Sequence, residues 1–334
     1  MRENRATKKW NIAIFLTLAI LMAGVIVLHK NPYANPGEEL IKKVLACGVI
    51  GAISIVFLTC YEKLIVLPVE LWQSRHLIWK LAKNDFKKRY SGSYLGAVWA
   101  MAQPVVTVVM YFLVFDIVFN SEGPLLNDGT RAPYVLSLTA GLVPWFFFSE
   151  ALNHGTTALL EYNYLVKKVV FKISVLPIIK VIAAGFIHVF FVGVLLVVAC
   201  LYGYFPTIYT LQLFYYSVCL FVFVLALCYT TCAVVVFFRD LSQIISIVLQ
   251  IGMWATPILW NLGDMRLRYG DAVLLFKINP LVYIVDGYRS SIMEKQWFFE
   301  DFFSTMYFWI ITALLFGVGA LVFKKLKVHF ADVL

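Results

Sequence analysis

The sequence predicts an all-α polytopic membrane protein, on three observations. Of 334 residues, 62% are hydrophobic and only 14% charged, and the mean hydropathy is +0.84. Ordinary globular domains carry roughly 45–50% apolar and about 25% charged residues. No water-soluble fold has the interior to hide that excess, so a soluble enzyme, a secreted disulfide scaffold and a disordered chain are excluded. Second, charge-free runs recur at the length, roughly 20 residues, that a helix needs to cross a bilayer. Third, the 28 Lys and Arg residues fall unevenly among the connections between those runs.

The first run is Trp10–Leu28, and residues 44–61 are the second. Residues 99–119 make a third, interrupted only by Asp116, and residues 133–149 a fourth that can extend past Glu150. Between 181 and 238 there is no Asp, Glu, Lys or Arg, so that stretch must double back. Tyr202-Gly203-Tyr204-Phe205-Pro206 supplies the turn, because Gly and Pro punctuate helices. Residues 241–263 and 302–323 complete eight spans. Residues 1–69 form an N-terminal pair of spans, 70–98 an amphipathic interfacial helix leading into the next span, and 99–334 the main transmembrane domain. The basic start of the chain, Arg2, Arg5, Lys8 and Lys9, is like that of a signal peptide. Its apolar core exceeds the usual length of about 7–15 residues and no small-x-small site follows His29. It reads as an uncleaved span.

With the N-terminus in the cytoplasm and strict alternation, segments 1–9, 62–90, 161–180, 239–240 and 324–334 lie inside and hold 19 of the 28 Lys and Arg residues. The outer segments hold nine, five of them in 264–301. That is a positive-inside bias with both termini cytoplasmic. Topology therefore accounts for the net charge of +9, and no nucleic-acid partner is implied. Six cysteines (Cys47, Cys60, Cys200, Cys219, Cys228 and Cys232) lie in or beside apolar runs without CxxC spacing, and read as small packing residues. The five histidines are scattered and suggest no metal site.

Four features rise above this background. In residues 70–90, Trp72, Trp79, Ala82, Phe86 and Tyr90 fall on one helical face, with Lys80, Asn84, Lys87 and Lys88 opposite. A basic amphipathic helix of this kind lies in the headgroup plane, either as a plain anchor or as a collar that meets anionic lipid-linked substrate. Residues 158–168 are too polar for the bilayer and long enough for one cytoplasmic helix, a simple connection or one presented to a soluble partner. Aromatic density within the spans, at Tyr111, Phe112, Phe115, Trp145, Phe146, Phe147, Phe148, Trp254 and Trp260, reads as interfacial belts or as a path on which sugar rings slide. Residues 264–301 mix charges with apolar pieces too short to span, which fits two short helices dipping into the outer leaflet or a surface subdomain. There is no GxxxxGK[ST] loop, HExxH or GxSxG. Asp116, Glu150, Lys180 and His188 sit near span ends or alone, without the paired carboxylates of a proton relay. Uphill movement would draw its energy from another chain.

The run from Leu81 to Phe119 resembles the start of the permease domain in type-two ABC exporters of polysaccharide, whose pattern RY-x-G-S-x-LG-x-x-W-x-x-x-x-P stands here as Arg89-Tyr90, Gly92-Ser93, Leu95-Gly96, Trp99 and Pro104. Further likenesses follow in order. They are Gly141 to Phe148, Tyr164 to Phe171 with Leu176-Pro177, Phe238-Arg239-Asp240-Leu241, Thr256-Pro257-Ile258, Asn279-Pro280-Leu281, Gly287-Tyr288-Arg289 and the ending Phe330-Ala331-Asp332-Val333-Leu334. The likeness covers roughly residue 70 to the C-terminus and is nearest to teichoic-acid, O-antigen and capsule translocation permeases. It implies a six-span exporter core with an interfacial helix and outer re-entrant helices, to which the N-terminal pair is an addition. It also implies a homodimer in the bacterial plasma membrane, joined to two copies of a separately encoded ATP-binding subunit that holds ATP and Mg. No cofactor is implied for this chain. Glu161, Tyr162, Asn163, Tyr164, Leu165, Val166, Lys167 and Lys168 would then form the coupling helix inserted into that subunit. Lys87, Lys88, Arg89 and Tyr90 would meet the diphosphate of an undecaprenyl-type lipid-linked glycan. Tyr111, Phe115, Trp145, Trp254 and Trp260 would line the path of its sugars. The main rival is an ABC permease for drugs or small lipids, which a narrow Phe-dominated lining would favour. A membrane glycosyl- or acyltransferase needs a clustered Asp/His/Glu site, and an ion-coupled flippase needs paired acidic residues at mid-membrane.

Overall fold

The computed structural model describes residues 5–28, 36–89, 96, 98–126, 129–167 and 172–334. The chain divides into two compact units, Met1–Pro68 and Val69–Leu334. In the first, α1 (Arg5–Leu28) and α2 (Pro36–Leu64) pack together. Phe15 stacks on Phe57 with centroids 3.9 Å apart, Asn11 donates to the Tyr61 hydroxyl at 3.0 Å, and Lys43 donates to the Val27 carbonyl at 3.3 Å. Numbers rise along one helix as they fall along the other, so the pair is antiparallel. Ile26, Ile50 and Tyr61 are buried in it, while Leu18, Ile20, Leu21, Val44 and Leu45 face outward. So much exposed aliphatic surface suits lipid rather than water.

The second unit follows α3 (Val66–Gln73), which crosses the boundary, and holds α4 (Arg75–Arg89) and α5 (Val98–Tyr111), which continues in π turns over Phe112–Val118. Then come α6 (Tyr134–Glu161), α7 (Asn163–Val166), α8 (Leu176–Leu201), α9 (Gln212–Val235), α10 (Leu241–Ala255), α11 (Leu262–Tyr269), α12 (Pro280–Arg289), α13 (Phe302–Leu326) and α14 (Phe330–Val333). The core lies where α6 meets α8 and α9, and where α9 meets α13. Small residues let these helices approach, the usual device where lipid supplies no hydrophobic drive. A Cβ added at Gly155 on α6 would lie 2.2 Å from the Cys228 sulfur of α9. Cys219, Cys228 and Cys232 are all buried, as packing residues should be.

Five described helical segments are long and apolar enough to cross a membrane: Trp10–Leu28, Tyr134–Glu161, Ile173–Leu201, Ile208–Val235 and Phe302–His329. The other three apolar runs are shorter helices, Lys43–Thr59, Pro104–Val118 and Leu241–Ala255. The chain is thus an α-helical membrane protein. Its expected turn after α8 is present. Gly203 takes a left-handed φ of +83°, and the N–H of Tyr204 closes the helix on Ala199 at 2.9 Å.

The run expected to continue to residue 263 stops at Ala255. Thr256 is extended (φ −88°, ψ 137°), the conformation imposed on a residue before proline. Past this break Arg289 donates to the carbonyls of Pro257 at 2.6 Å and Ile258 at 2.8 Å, and to that of Ser137 on α6 at 3.2 Å. Asn279 caps α12 through Leu281 N–H at 3.1 Å and donates to the Thr256 hydroxyl at 2.9 Å. The Thr256-Pro257, Asn279-Pro280 and Arg289 motifs therefore form one joint. Residues 264–301 fold as α11, a 3-10 stretch (Gly270–Ile278), α12 and a π turn (Ser290–Glu294). Helix α12 packs on α6, α9 and α13, and Gly287 makes room there for the Tyr216 ring, which a Cβ would meet at 2.1 Å. His188 is not alone: its Nε2 lies 3.0 Å from the Tyr288 hydroxyl and 3.1 Å from that of Ser217. At the C-terminus, Phe330 is buried against Phe323 and Phe237, 5.5 and 6.1 Å between centroids.

Candidate functional site

Lys180 lies one turn into α8, with only 4% of its side chain exposed. A buried ammonium needs anionic partners, since desolvating it unpaired costs several kcal/mol (about the same again for its counter-ion). It has two: Asp85 of α4 at 2.7 Å and Glu161, the last residue of α6, at 2.6 Å. Asp85 reaches it because Ile78, Ala82 and Asp85 share the buried face of α4, which packs on α8. One turn further on, Arg89 pairs with Asp85 at 3.2 Å and with Glu150 of α6 at 2.9 Å. Thr157 donates to Glu161 at 2.7 Å, and His154 stands 4.0 Å from it. Three carboxylates thus surround two cations, and three helices meet through them. Glu150 and Lys180, which looked solitary in the sequence, are partners in this cluster.

Tyr162 links the cluster to the segment that follows. It sits at the corner between α6 and α7, its hydroxyl donates to Asp85, and the Lys180 ammonium lies 4.7 Å from the centre of its ring. Burial first, and then the hydrogen bond to the Asp85 carboxylate, raise its pKa above the ordinary phenol value, so it remains a donor. A second clamp holds the segment's far end. Ser174 donates to Glu70, Lys172 donates to Gln73 at 3.3 Å, and the Tyr229 hydroxyl donates to the Ser174 carbonyl at 2.9 Å.

Between these clamps the connecting helix is one turn, shorter than the helix expected over 158–168. Ala158 and Leu159 continue the buried stripe of α6, so that helix runs on to Glu161. Asn163, Tyr164 and Lys167 are exposed, Leu165 is half-buried and Val166 is buried. Lys168 and Tyr90 lie outside the described residues, as do Gly92, Ser93 and Leu95 of the motif. Lys87 and Lys88 are exposed at the end of α4, whereas Arg89 turns inward to its carboxylates. The helix expected at the membrane interface is two helices, parted at Ser74, whose N–H is shared between the Glu70 and Leu71 carbonyls at 3.1 and 3.2 Å. Its expected aromatic face divides accordingly. Ala82 is buried, Trp79 and Phe86 bracket Phe186 at 5.4 and 5.7 Å, and Trp72 is exposed on α3 with Arg75 over its ring.

Of the five aromatics expected to line a sugar path, Tyr111 and Phe115 adjoin one another, Trp254 and Trp260 adjoin one another, and Trp145 stands on α6. Phe115 joins Tyr111 and Tyr134 at 5.9 and 5.7 Å. Trp260 donates to the Trp254 carbonyl at 3.0 Å and meets Phe276 at 5.0 Å, just past the end of α10. Trp145 is buried between α6 and α10, and a Cβ on Gly252 would lie 3.0 Å from its ring.

The family model described as ABC-2 type transporter matches residues 76–293, from α4 to the π turn after α12. The chain belongs to the ABC-2 type transporter family. It is 29% identical over 269 residues to the O-antigen export system permease protein RfbA of Myxococcus xanthus, covering 80% of this chain and 99% of that one. Two proteins of the same description from Klebsiella pneumoniae are 28% and 26% identical over 257 residues, each covering 76% of this chain and 93% of the relative. The family match in this ABC-2 chain thus includes the Asp85–Lys180–Glu161 cluster and α7, and begins after the unit Met1–Pro68.

Proposed function

We propose that this chain is the membrane subunit of an ATP-driven exporter that moves a lipid-linked cell-envelope polysaccharide, of the O-antigen or teichoic-acid kind, from the cytoplasmic to the outer face of a bacterial plasma membrane. Two copies work with two copies of a separate subunit that binds ATP and Mg. The chain crosses the membrane eight times with both termini inside, and α11 and α12 enter the outer leaflet and return. The observation that carries this reading is the cluster around Lys180, which joins the basic end of α4 to the corner at Tyr162, from which α7 projects. The coverage of the O-antigen permeases supports the cargo class.

In this mechanism the exposed turn at Asn163, Tyr164 and Lys167 seats in the ATP-binding subunit. Movement of that turn pulls on Tyr162 and Glu161, and the pull passes through Lys180 and Asp85 to α4. Lys87 and Lys88 hold the lipid diphosphate there by charge. A second copy covers the outward face of α10, where Ile244, Ile247, Val248, Ile251 and Trp254 are exposed. Reconstitution in vesicles with the cognate ATPase tests the proposal. ATP should move a polyprenyl-diphosphate glycan to the opposite leaflet, and hydrolysis without glycan movement contradicts it. Export of hydrophobic drugs instead would establish the rival.

A further inference from the structure

A cavity of about 400 Å³ lies beside α12, between its C-terminal half, the π turn after it and the start of α13. That volume falls within the range of small-molecule sites, roughly 300–1,000 Å³. We infer that this cavity is a carbohydrate site that takes one or two pyranose rings of the exported glycan on its outward side, with Trp297 as stacking face and Asp286 and Glu294 as hydroxyl acceptors. The inference rests on the export reading for the identity of the occupant, though not for the class of ligand.

Three observations carry it. Asp286 sits on a helix packed against three others, yet 43% of its side chain is accessible, because it faces the cavity. Its nearest cation, Arg289, stands 3.8 Å away and already gives its N–H groups to three backbone carbonyls, while Lys277 and Arg266 line the same cavity without an ion pair to Asp286. The carboxylate therefore keeps acceptor capacity for a ligand, and ionised carboxylates make the stronger hydrogen bonds to hydroxyls. Glu294 lines the same cavity and has no hydrogen bond or ion pair with the described residues. Its position follows from the π turn, which ends at Lys295 in a left-handed conformation (φ +55°) and so turns the chain sharply after the carboxylate.

The aromatic wall is braced by neighbouring rings. Trp297 lies nearly parallel to Phe299 (10° between planes, 5.8 Å) and 5.0 Å from Tyr209. The hydroxyls of Tyr283 and Tyr307, which also line the cavity, are already engaged at 3.0 Å with Thr305 and 2.6 Å with Ile278. Immobilised rings flanked by acceptors suit the alternation of C–H faces and hydroxyl edges on a pyranose. A second cavity of about 190 Å³, lined by Tyr134 and Trp260, shares Arg289 as a wall with the first. Arg289 thus stands between the aromatic group at Tyr134 and the sugar site.

The test uses the full chain with Gln296→Cys at the rim, labelled by a charged, impermeant maleimide, with the parent chain as background. In right-side-out vesicles from cells that make no envelope glycan, the probes are maltose, cellobiose, chitobiose and rhamnose at high millimolar concentration. At least one should slow labelling threefold or more, and Trp297→Ala or Asp286→Asn should abolish that protection. Equal rates with every probe overturn the site. In intact cells, labelling should be slower when the host glycan is being made than when its synthesis is stopped at the first sugar transfer. Equal labelling in those two cell types overturns the exported chain as occupant, while protection by free saccharides would then assign the site to other envelope sugars. Protection in vesicles does not depend on transport, so it survives a failure of the export reading.

Discussion

At the residue scale, the two buried cations carry the account, and Lys180 is the more demanding. Removing one partner of a buried pair costs about 3–5 kcal/mol, because the other charge is left unpaired. Lys180→Met should therefore lower the thermal unfolding temperature of the detergent-solubilised chain sharply. Adding Asp85→Asn should recover part of the loss, which thermal denaturation of both variants would measure. Equal melting of Lys180→Met and the parent would remove the cluster from the argument. Lys87 and Lys88 are the opposite case, exposed and in no ion pair among the described residues. Lys87→Gln with Lys88→Gln should leave folding unchanged and weaken stimulation of the partner's ATPase by lipid-linked glycan. Arg89 cannot share that test, because it holds Asp85 and Glu150.

At the element scale, the clearest device is the short α7 between two clamps, Tyr162 with Asp85 on one side and Ser174 with Glu70 on the other. Leu165→Asp should leave membrane insertion intact and abolish transport while basal ATP hydrolysis by the partner persists. A transport assay run beside an ATPase assay reads both. Apolar runs were legible in the sequence because a bilayer imposes a length and an absence of charge, and all eight runs contain helix. Helix ends were less legible. The stop at Ala255 is written in Pro257, but hydropathy alone carried the run past it. The amphipathic pattern of 70–90 was visible, though not that its buried face would carry Asp85, because a carboxylate counts as polar until its partner is known. Glu150 and Lys180 stand 30 positions apart and Lys180 is 95 from Asp85, so no local spacing joined them. The signal that remained was a lone ionisable residue at the end of an apolar run.

At the scale of the whole molecule, composition settled the class, and the family match extends that to an ABC-2 membrane chain. Helix α12, the ion cluster and α7 then form a sequence of contacts from one end of the bundle to the other: Arg289 on Ser137 at the start of α6, and Glu161 on Lys180 at its end. Helix α6 spans the distance between them, with most of its length buried. The most direct measurement is purification of the full chain from its native membrane in mild detergent, with mass spectrometry of what accompanies it. The account predicts a soluble ATPase in equal number to this chain, together with a polyprenyl-diphosphate glycan. A chain recovered without an ATPase, under conditions that keep other ABC complexes whole, would contradict it.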